Sequence, residues 1–265
     1  MFNKDSNNPL WSYQASNRMW SVSISADGEY IVACSYDLNV YLFNKDSSTP
    51  LWSYTLENLL EEVAISADGE YIIASNNDDN IFLFDKDNST PLWSYDTGDQ
   101  VKSVAISADG EYVVSGSENN KIYLFDKDSN TPLWSYETDN QVYSVDISAD
   151  GKYIVAGSAD DKVYFFDKDS STPHWNYTTD NWVRPVTISA DGNYITGSDG
   201  KKIYLFNKYG DVPLWGNRVL TDKIDKLASM LYFNSTDSEE DATSSSDHFN
   251  VLSSYLVYNY HVHKK

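Results

Sequence analysis

Apolar and polar positions alternate in short bursts along most of the chain, with turn-forming residues between the bursts. In one stretch, SVAIS (Ser103–Ser107) sets Val104 and Ile106 between small or polar residues, which predicts a half-buried strand. EYVVSGS (Glu111–Ser117), KIYLFDK (Lys121–Lys127) and PLWSYET (Pro132–Thr138) predict three more. Between the first two lies ADGE, whose glycine is free to take positive φ in a tight turn. Between the third and fourth lies DKDSNTP, rich in Asp, Ser, Asn and Pro. No helical periodicity interrupts the scheme.

The pattern recurs. SADG starts at Ser25, Ser66, Ser107, Ser148 and Ser189, always 41 residues apart. Tryptophans follow at 52, 93, 134, 175 and 215, the last gap being 40 because one residue is missing between Ile195 and Ile203. An extra half-unit, FNKDSNNPLWSY, places Trp11 one period before Trp52. Four antiparallel strands in about 40 residues predict an all-β fold, a β-propeller of four-stranded blades. The expected organisation is a single propeller over 1–265, with an orphan fourth strand at 9–13 and five regular blades over 20–215. A degenerate last blade at 226–263 carries an acidic, Ser-rich insertion at 234–247. HFNVLSSY in that tail parallels EYIVACSY, aligning Phe249 with Tyr30, Val251 with Val32 and Tyr255 with Tyr36. The N-terminal strand pairing with this segment would close a ring of six blades and hide both free edges. A fragment of a longer array is the rival arrangement.

VKSVAISADGEYVVSGSENNKIYLFD resembles a WD40 repeat, with SADGEY in place of that family's Ser-Pro-Asp-Gly turn. Asp37, Asp78 and Asp160 fall where the family has a structural aspartate between its second and third strands. The family's Gly-His pair and closing Trp-Asp are missing. YLFDKDSNTPLWSY resembles the repeat of quinoprotein-like (PQQ-like) propellers, and Asp85–Trp93, Asp126–Trp134 and Asp167–Trp175 keep its eight-residue interval. The resemblance spans residues 1–215 and implies the fold. It implies little about activity, because propellers host many functions.

Comparison of the units separates scaffold from variation. Val22, Val63, Val104, Val145 and Val186 repeat, as do the tyrosines at 30, 71, 112, 153 and 194 and the phenylalanines at 43, 84, 125, 166 and 206. Such side chains are expected to form the core between blades. The first-to-second and third-to-fourth turns share one end of the strands and hardly change. The other two connections share the opposite end and vary. One position there reads Trp20, Glu61, Lys102, Tyr143, Arg184 across the units, and two residues earlier come Arg18, Leu59, Gln100, Gln141, Trp182. Between them the residue stays apolar (Met19, Leu60, Val101, Val142, Val183). A fixed scaffold displaying changing charge, size and aromaticity suits a partner-binding face, and Trp, Tyr and Arg are favoured in binding hot spots. By resemblance, WD40 proteins commonly bind partners on the corresponding face. Neutral drift of exposed loop residues is the competing explanation.

Composition narrows the partner. The net charge of −21 repels phosphate backbones and anionic headgroups, so neither nucleic acid nor a membrane surface is expected as a partner. No apolar run is long enough to span a bilayer. The opening MFNKDSNNPLW does not read as a signal peptide, leaving cytoplasm the default compartment, with the cell surface open if a longer N-terminus precedes it. Cys34, the single cysteine, excludes an internal disulfide. Repeated Asp-x-Asp-x-Ser turns have an oxygen spacing that suits calcium, although self-capping turns explain them more simply. His261 and His263 would share a strand face but lack a third ligand. No phosphate cradle, nucleophile elbow or metal cluster appears, so neither catalytic residues nor cofactor nor metal is assigned. The expectation is a monomeric, non-catalytic propeller scaffold binding a protein or peptide on the variable face. A cell-surface module binding carbohydrate or calcium is the alternative, and a quinoprotein-type oxidoreductase comes last.

Overall fold

The computed structural model describes residues 8–210 and 212–214. The chain divides into two compact units, Met1–Gly216 and Asn217–Lys265. The expected last blade at 226–263, its acidic insertion, its pairing with the N-terminal segment and the histidines near the C-terminus lie outside the described residues.

Every regular element described is a β-strand, and each of the five regular units folds as an antiparallel sheet with its strands in chain order. Blade 1 comprises Met19–Ile24, Tyr30–Ser35, Asn39–Asn44 and Trp52–Thr55. Blades 2, 3 and 4 repeat it, with first strands Leu60–Ile65, Val101–Ile106 and Val142–Ile147. Blade 5 has three described strands, Val186–Ile188, Tyr194–Ser198 and Ile203–Asn207. Beyond them the Leu214 N–H donates to the Leu205 carbonyl, as the Leu51 N–H does to the Leu42 carbonyl in blade 1. From blade 2 onward, each first strand packs against the first and second strands of the preceding blade, which places it innermost. Together these repeated blades make the β-propeller fold.

The repeated residues are the joints between blades. Within SADGEY, the Ser25 hydroxyl donates to Asp27 Oδ1 (2.6 Å) and accepts the Tyr30 N–H, while Asp27 also accepts the Glu29 N–H. The turn then joins its neighbours: Ala26 N donates to Ala67 O, Ala67 N to Ala108 O, Ala108 N to Ala149 O and Ala149 N to Ala190 O, all at 2.9–3.0 Å. A single backbone ladder therefore crosses all five blades at the invariant end. At the rim, each tryptophan indole N–H reaches a lysine carbonyl in the next blade: Trp52 to Lys86, Trp93 to Lys127 and Trp134 to Lys168, each at 2.7 Å. The indoles also pack on the next blade's phenylalanine, Trp52 on Phe84 and Trp134 on Phe166 with ring centroids 5.5 and 5.4 Å apart.

Three expectations change in detail. Pro9 makes only a β-bridge, and Trp11–Ala15 carry no strand assignment, yet Trp11 still donates to the Lys45 carbonyl at 2.6 Å. Docking on blade 1 thus needs the indole and the chain path but not a complete strand. Val63, Val104, Val145 and Val186 are buried between blades, whereas Val22 is 69% exposed and Ile24 52%. The inner strand of blade 1 has no preceding blade among the described residues to cover it. Tyr194 is likewise exposed, since the glycine turn against which its counterparts pack would belong to the next unit.

Candidate functional site

The variable end is built on a repeated irregularity that alternation alone does not reveal. In blade 1, Met19 pairs with Ser35 and Ser21 with Cys34, so Trp20 is an extra residue in the ladder. The same break falls between Leu60 and Glu62, between Val101 and Ser103 and between Val142 and Ser144. The bulged residues are therefore Trp20, Glu61, Lys102 and Tyr143. A bulge re-aims a side chain and leaves it outside the ladder. In blades 2 to 4 the apolar residue just before the bulge still faces inward: Leu60, Val101 and Val142 are fully buried. In blade 5 the ladder starts later, at Val186, and Arg184 is held instead by its N–H donating to the Ser198 carbonyl at 2.7 Å.

The positions two residues earlier have equally fixed backbones. Asn17, Asn58, Asp99, Asn140 and Asn181 each accept the N–H of the following residue through side-chain Oδ1. The carbonyls of Arg18, Leu59, Gln100 and Gln141 accept N–H groups of Tyr36, Asn77, Glu118 and Ala159 at 2.8–2.9 Å. The aspartates singled out by the WD40 resemblance brace this end. Asp37 accepts from the Tyr41 hydroxyl and the Ser16 N–H, and Asp160 from the Tyr164 hydroxyl and the Asp139 N–H. Burial opposes ionisation of Asp37, but these hydrogen bonds outweigh it and hold its carboxyl below the ordinary value. Asp78 has no such hydroxyl partner, because Phe82 stands where Tyr41 and Tyr164 stand. There Asn76 takes over the turn, accepting the N–H groups of Asp78 and Asn80.

Most of the variable side chains meet. Gln100 Nε2 donates to Glu61 Oε1 and to Asn77 Oδ1. Lys102 Nζ lies 3.9 Å from Glu61 and 3.2 Å from Glu118. Gln141 donates to the other oxygen of Glu118, and the Tyr143 hydroxyl donates back to Gln141 Oε1 at 2.7 Å. The Arg184 guanidinium then sits 3.2 Å from the centre of the Tyr143 ring and 5.5 Å from that of Trp182. This chain of contacts runs across blades 2 to 5.

Arg18 and Trp20 form a separate group in blade 1. Trp20 stacks on Tyr36 with centroids 5.0 Å apart, and the Arg18 guanidinium lies 5.0 Å from the indole centre. Leu59 is half-buried and joins the site through its backbone carbonyl. Tyr36, Asn77 and Glu118 were not singled out from the sequence, although they occupy one repeat position that changes from unit to unit. Trp20 and Trp182 are the large exposed aromatics of this face, at 42% and 51% exposure.

The opposite end uses its carboxylates internally. One oxygen of each aspartate in the SADG turns bridges its own serine hydroxyl and a backbone N–H. Asp85, Asp126 and Asp167 each accept the N–H two residues on, in their own turns. Lys45 pairs with Glu29, and Lys86 with Glu70. Cys34 is buried, and burial pushes its thiol up to about 12, so it acts as a packing residue.

No individual curated protein matches the chain at a significant level. A family model described as outer membrane protein assembly factor BamB matches residues 1–108 and again residues 85–220. These overlapping matches cover most of the chain and coincide with the repeated blades. The chain therefore belongs to the BamB family of PQQ-like β-propeller repeat proteins.

Proposed function

We propose that this propeller is a non-catalytic scaffold that binds a protein or peptide partner at the variable end of its blades. The observation carrying this reading is the bulge at one repeat position, which presents Trp20, Glu61, Lys102 and Tyr143 from four successive inner strands. Their backbones are held alike while the side chains differ in charge, size and aromaticity. Aromatic side chains on a fixed frame lose little conformational entropy when a partner docks, and Trp, Tyr and Arg are favoured in hot spots. Membership of a family described by an assembly factor agrees with a scaffold role.

Carbohydrate binding draws less support. A stacked sugar needs open ring faces, and with Tyr36 stacked on Trp20 and Arg184 over Tyr143 this leaves Trp182 to supply one. Calcium binding at the opposite end competes with the hydrogen bonds those carboxylates accept in their own turns.

The test is the triple variant Trp20→Ala, Tyr143→Ala, Trp182→Ala, checked for an unchanged far-ultraviolet spectrum and then used beside wild type as bait in source-cell extract. A protein captured by wild type and lost by the variant, then shown to bind the purified scaffold with the same dependence, is the expected result. Identical captures by both would remove this face from consideration.

A further inference from the structure

We infer that the Arg184–Tyr143–Trp182 cluster is a recognition site for an acidic side chain, so that the partner segment carries Asp or Glu within its length. The inference rests on the partner-binding reading above and names the chemistry of what docks there.

The electrostatic state of this face points to it. Lys102 is flanked by Glu61 and Glu118, and the two glutamates also accept from Gln100 and Gln141. Of the lysines nearby, Lys162 pairs with Asp139 and Lys202 with Asp180, while Lys121 and Lys201 carry no ion pair among the described residues. Arg184 differs. It is exposed, and among the described residues its guanidinium has ring faces as neighbours but neither a carboxylate nor any hydrogen-bond acceptor. A guanidinium lying over an aromatic ring can keep N–H donors available in the fork geometry that matches a carboxylate.

The site is also pre-set. Val183 beneath the arginine is fully buried, the Arg184 N–H is bonded to Ser198, and the Pro185 carbonyl accepts the Ser198 N–H at 3.0 Å. Tyr143 is fixed from its other end by Gln141. Arg18 over Trp20 repeats the construction in blade 1, again with no acceptor for its guanidinium among the described residues. Two such stations on one end of the blades favour side-chain carboxylates, because a single chain terminus can serve only one. The exposed Trp182 ring offers an apolar surface beside the charge.

The experiment selects binders to the full-length chain from random twelve-residue peptides displayed with their C-termini fused to a carrier. Peptides enriched on wild type over the Trp20→Ala, Tyr143→Ala, Trp182→Ala variant are resynthesised with amidated C-termini and titrated. Enrichment of Asp or Glu is expected, with at least tenfold weaker binding to Arg184→Gln. Replacing the peptide's acidic residue by its amide should weaken binding to wild type similarly and leave binding to Arg184→Gln nearly unchanged. Unchanged melting of Arg184→Gln excludes a folding effect. Enriched peptides without acidic residues, or indifferent to Arg184→Gln, would overturn the inference while leaving the partner-binding face intact. Binding that requires a free C-terminus would overturn it in favour of a terminal carboxylate. If no peptide prefers wild type to the triple variant, both readings fall.

Discussion

The contact between each SADG glycine and the tyrosine of the preceding blade can be weighed with two alanine substitutions. Gly28 and Gly110 occupy the same turn position with nearly the same φ, +74° and +72°. Alanine in that left-handed conformation costs about 1–2 kcal/mol at either site. The surroundings differ. A Cβ on Gly28 meets nothing within 4 Å, while one on Gly110 would lie 2.4 Å from Cδ2 of Tyr71 and 3.2 Å from Cε2 and Cγ. Tyr71 packs against the buried cluster of Val104, Val113 and Phe125, so it cannot retreat without disturbing the joint. Overpacking of that kind adds about 1–3 kcal/mol. Gly28→Ala should therefore lose about 1–2 kcal/mol and Gly110→Ala about 2–5. The difference corresponds to a melting midpoint lower by several degrees, since about 2–4 °C accompanies each kcal/mol in proteins approaching this size. Urea unfolding followed by tryptophan fluorescence supplies the free energies, and calorimetry the midpoints. In a Tyr71→Ala background the excess penalty at residue 110 should disappear. Equal losses at both glycines, or an excess that survives Tyr71→Ala, would show that the ring contact is not what confines this position to glycine.

Three further outcomes follow from polar groups in the core. The Ser115 hydroxyl is buried without a hydrogen-bond partner, and Ala33, Ala74 and Ala156 stand at its equivalents, so Ser115→Ala should stabilise by about 1 kcal/mol in urea unfolding. Burial, reinforced by Asp146, raises the Glu62 carboxyl above its ordinary value despite bonds from the Val104 N–H and the Ser103 hydroxyl. Its ionised form is thus penalised in the fold. Glu62→Gln should raise the melting midpoint at pH 7, with the gain fading as pH falls towards 4.5 and wild type becomes protonated; a gain that persisted at pH 4 would contradict this. Asp199 shows the opposite sign. Burial opposes its ionisation, but the Lys201 and Lys202 N–H groups and the Tyr204 hydroxyl more than compensate, and its carboxyl stays below 3.8. Its stabilisation is present above that value and lost as pH falls through the folded value. Asp199→Asn should lower the midpoint at neutral pH and converge on wild type in acid.

The blade was legible because repetition and alternation are local. SADG, the tryptophan and the phenylalanine recur at a fixed interval, and a period of two within each burst marks the strands. Burial followed for the same reason, except where a neighbouring blade was needed to cover Val22 or Tyr194. The face carrying Trp20, Glu61, Lys102, Tyr143 and Arg184 was legible as variation beside a constant apolar residue. Its construction was not, because a bulge is a mismatch between two strands, and neither strand alone records it.

Repetition and alternation suffice for the four-stranded unit, its recurrence and the end of the blades where side chains vary. Tertiary structure decided which of those side chains meet. Lys102 could have faced solvent alone, but the neighbouring blades bring Glu61 and Glu118 to it. Arg184 could have found one of the many carboxylates, but the geometry of blades 4 and 5 sets it against Tyr143 and Trp182 instead. A period of 41 places equivalent residues in adjacent blades and specifies no distance between their side chains. Those distances arise only when the blades pack, and the seat of Arg184 against two aromatic rings arises with them.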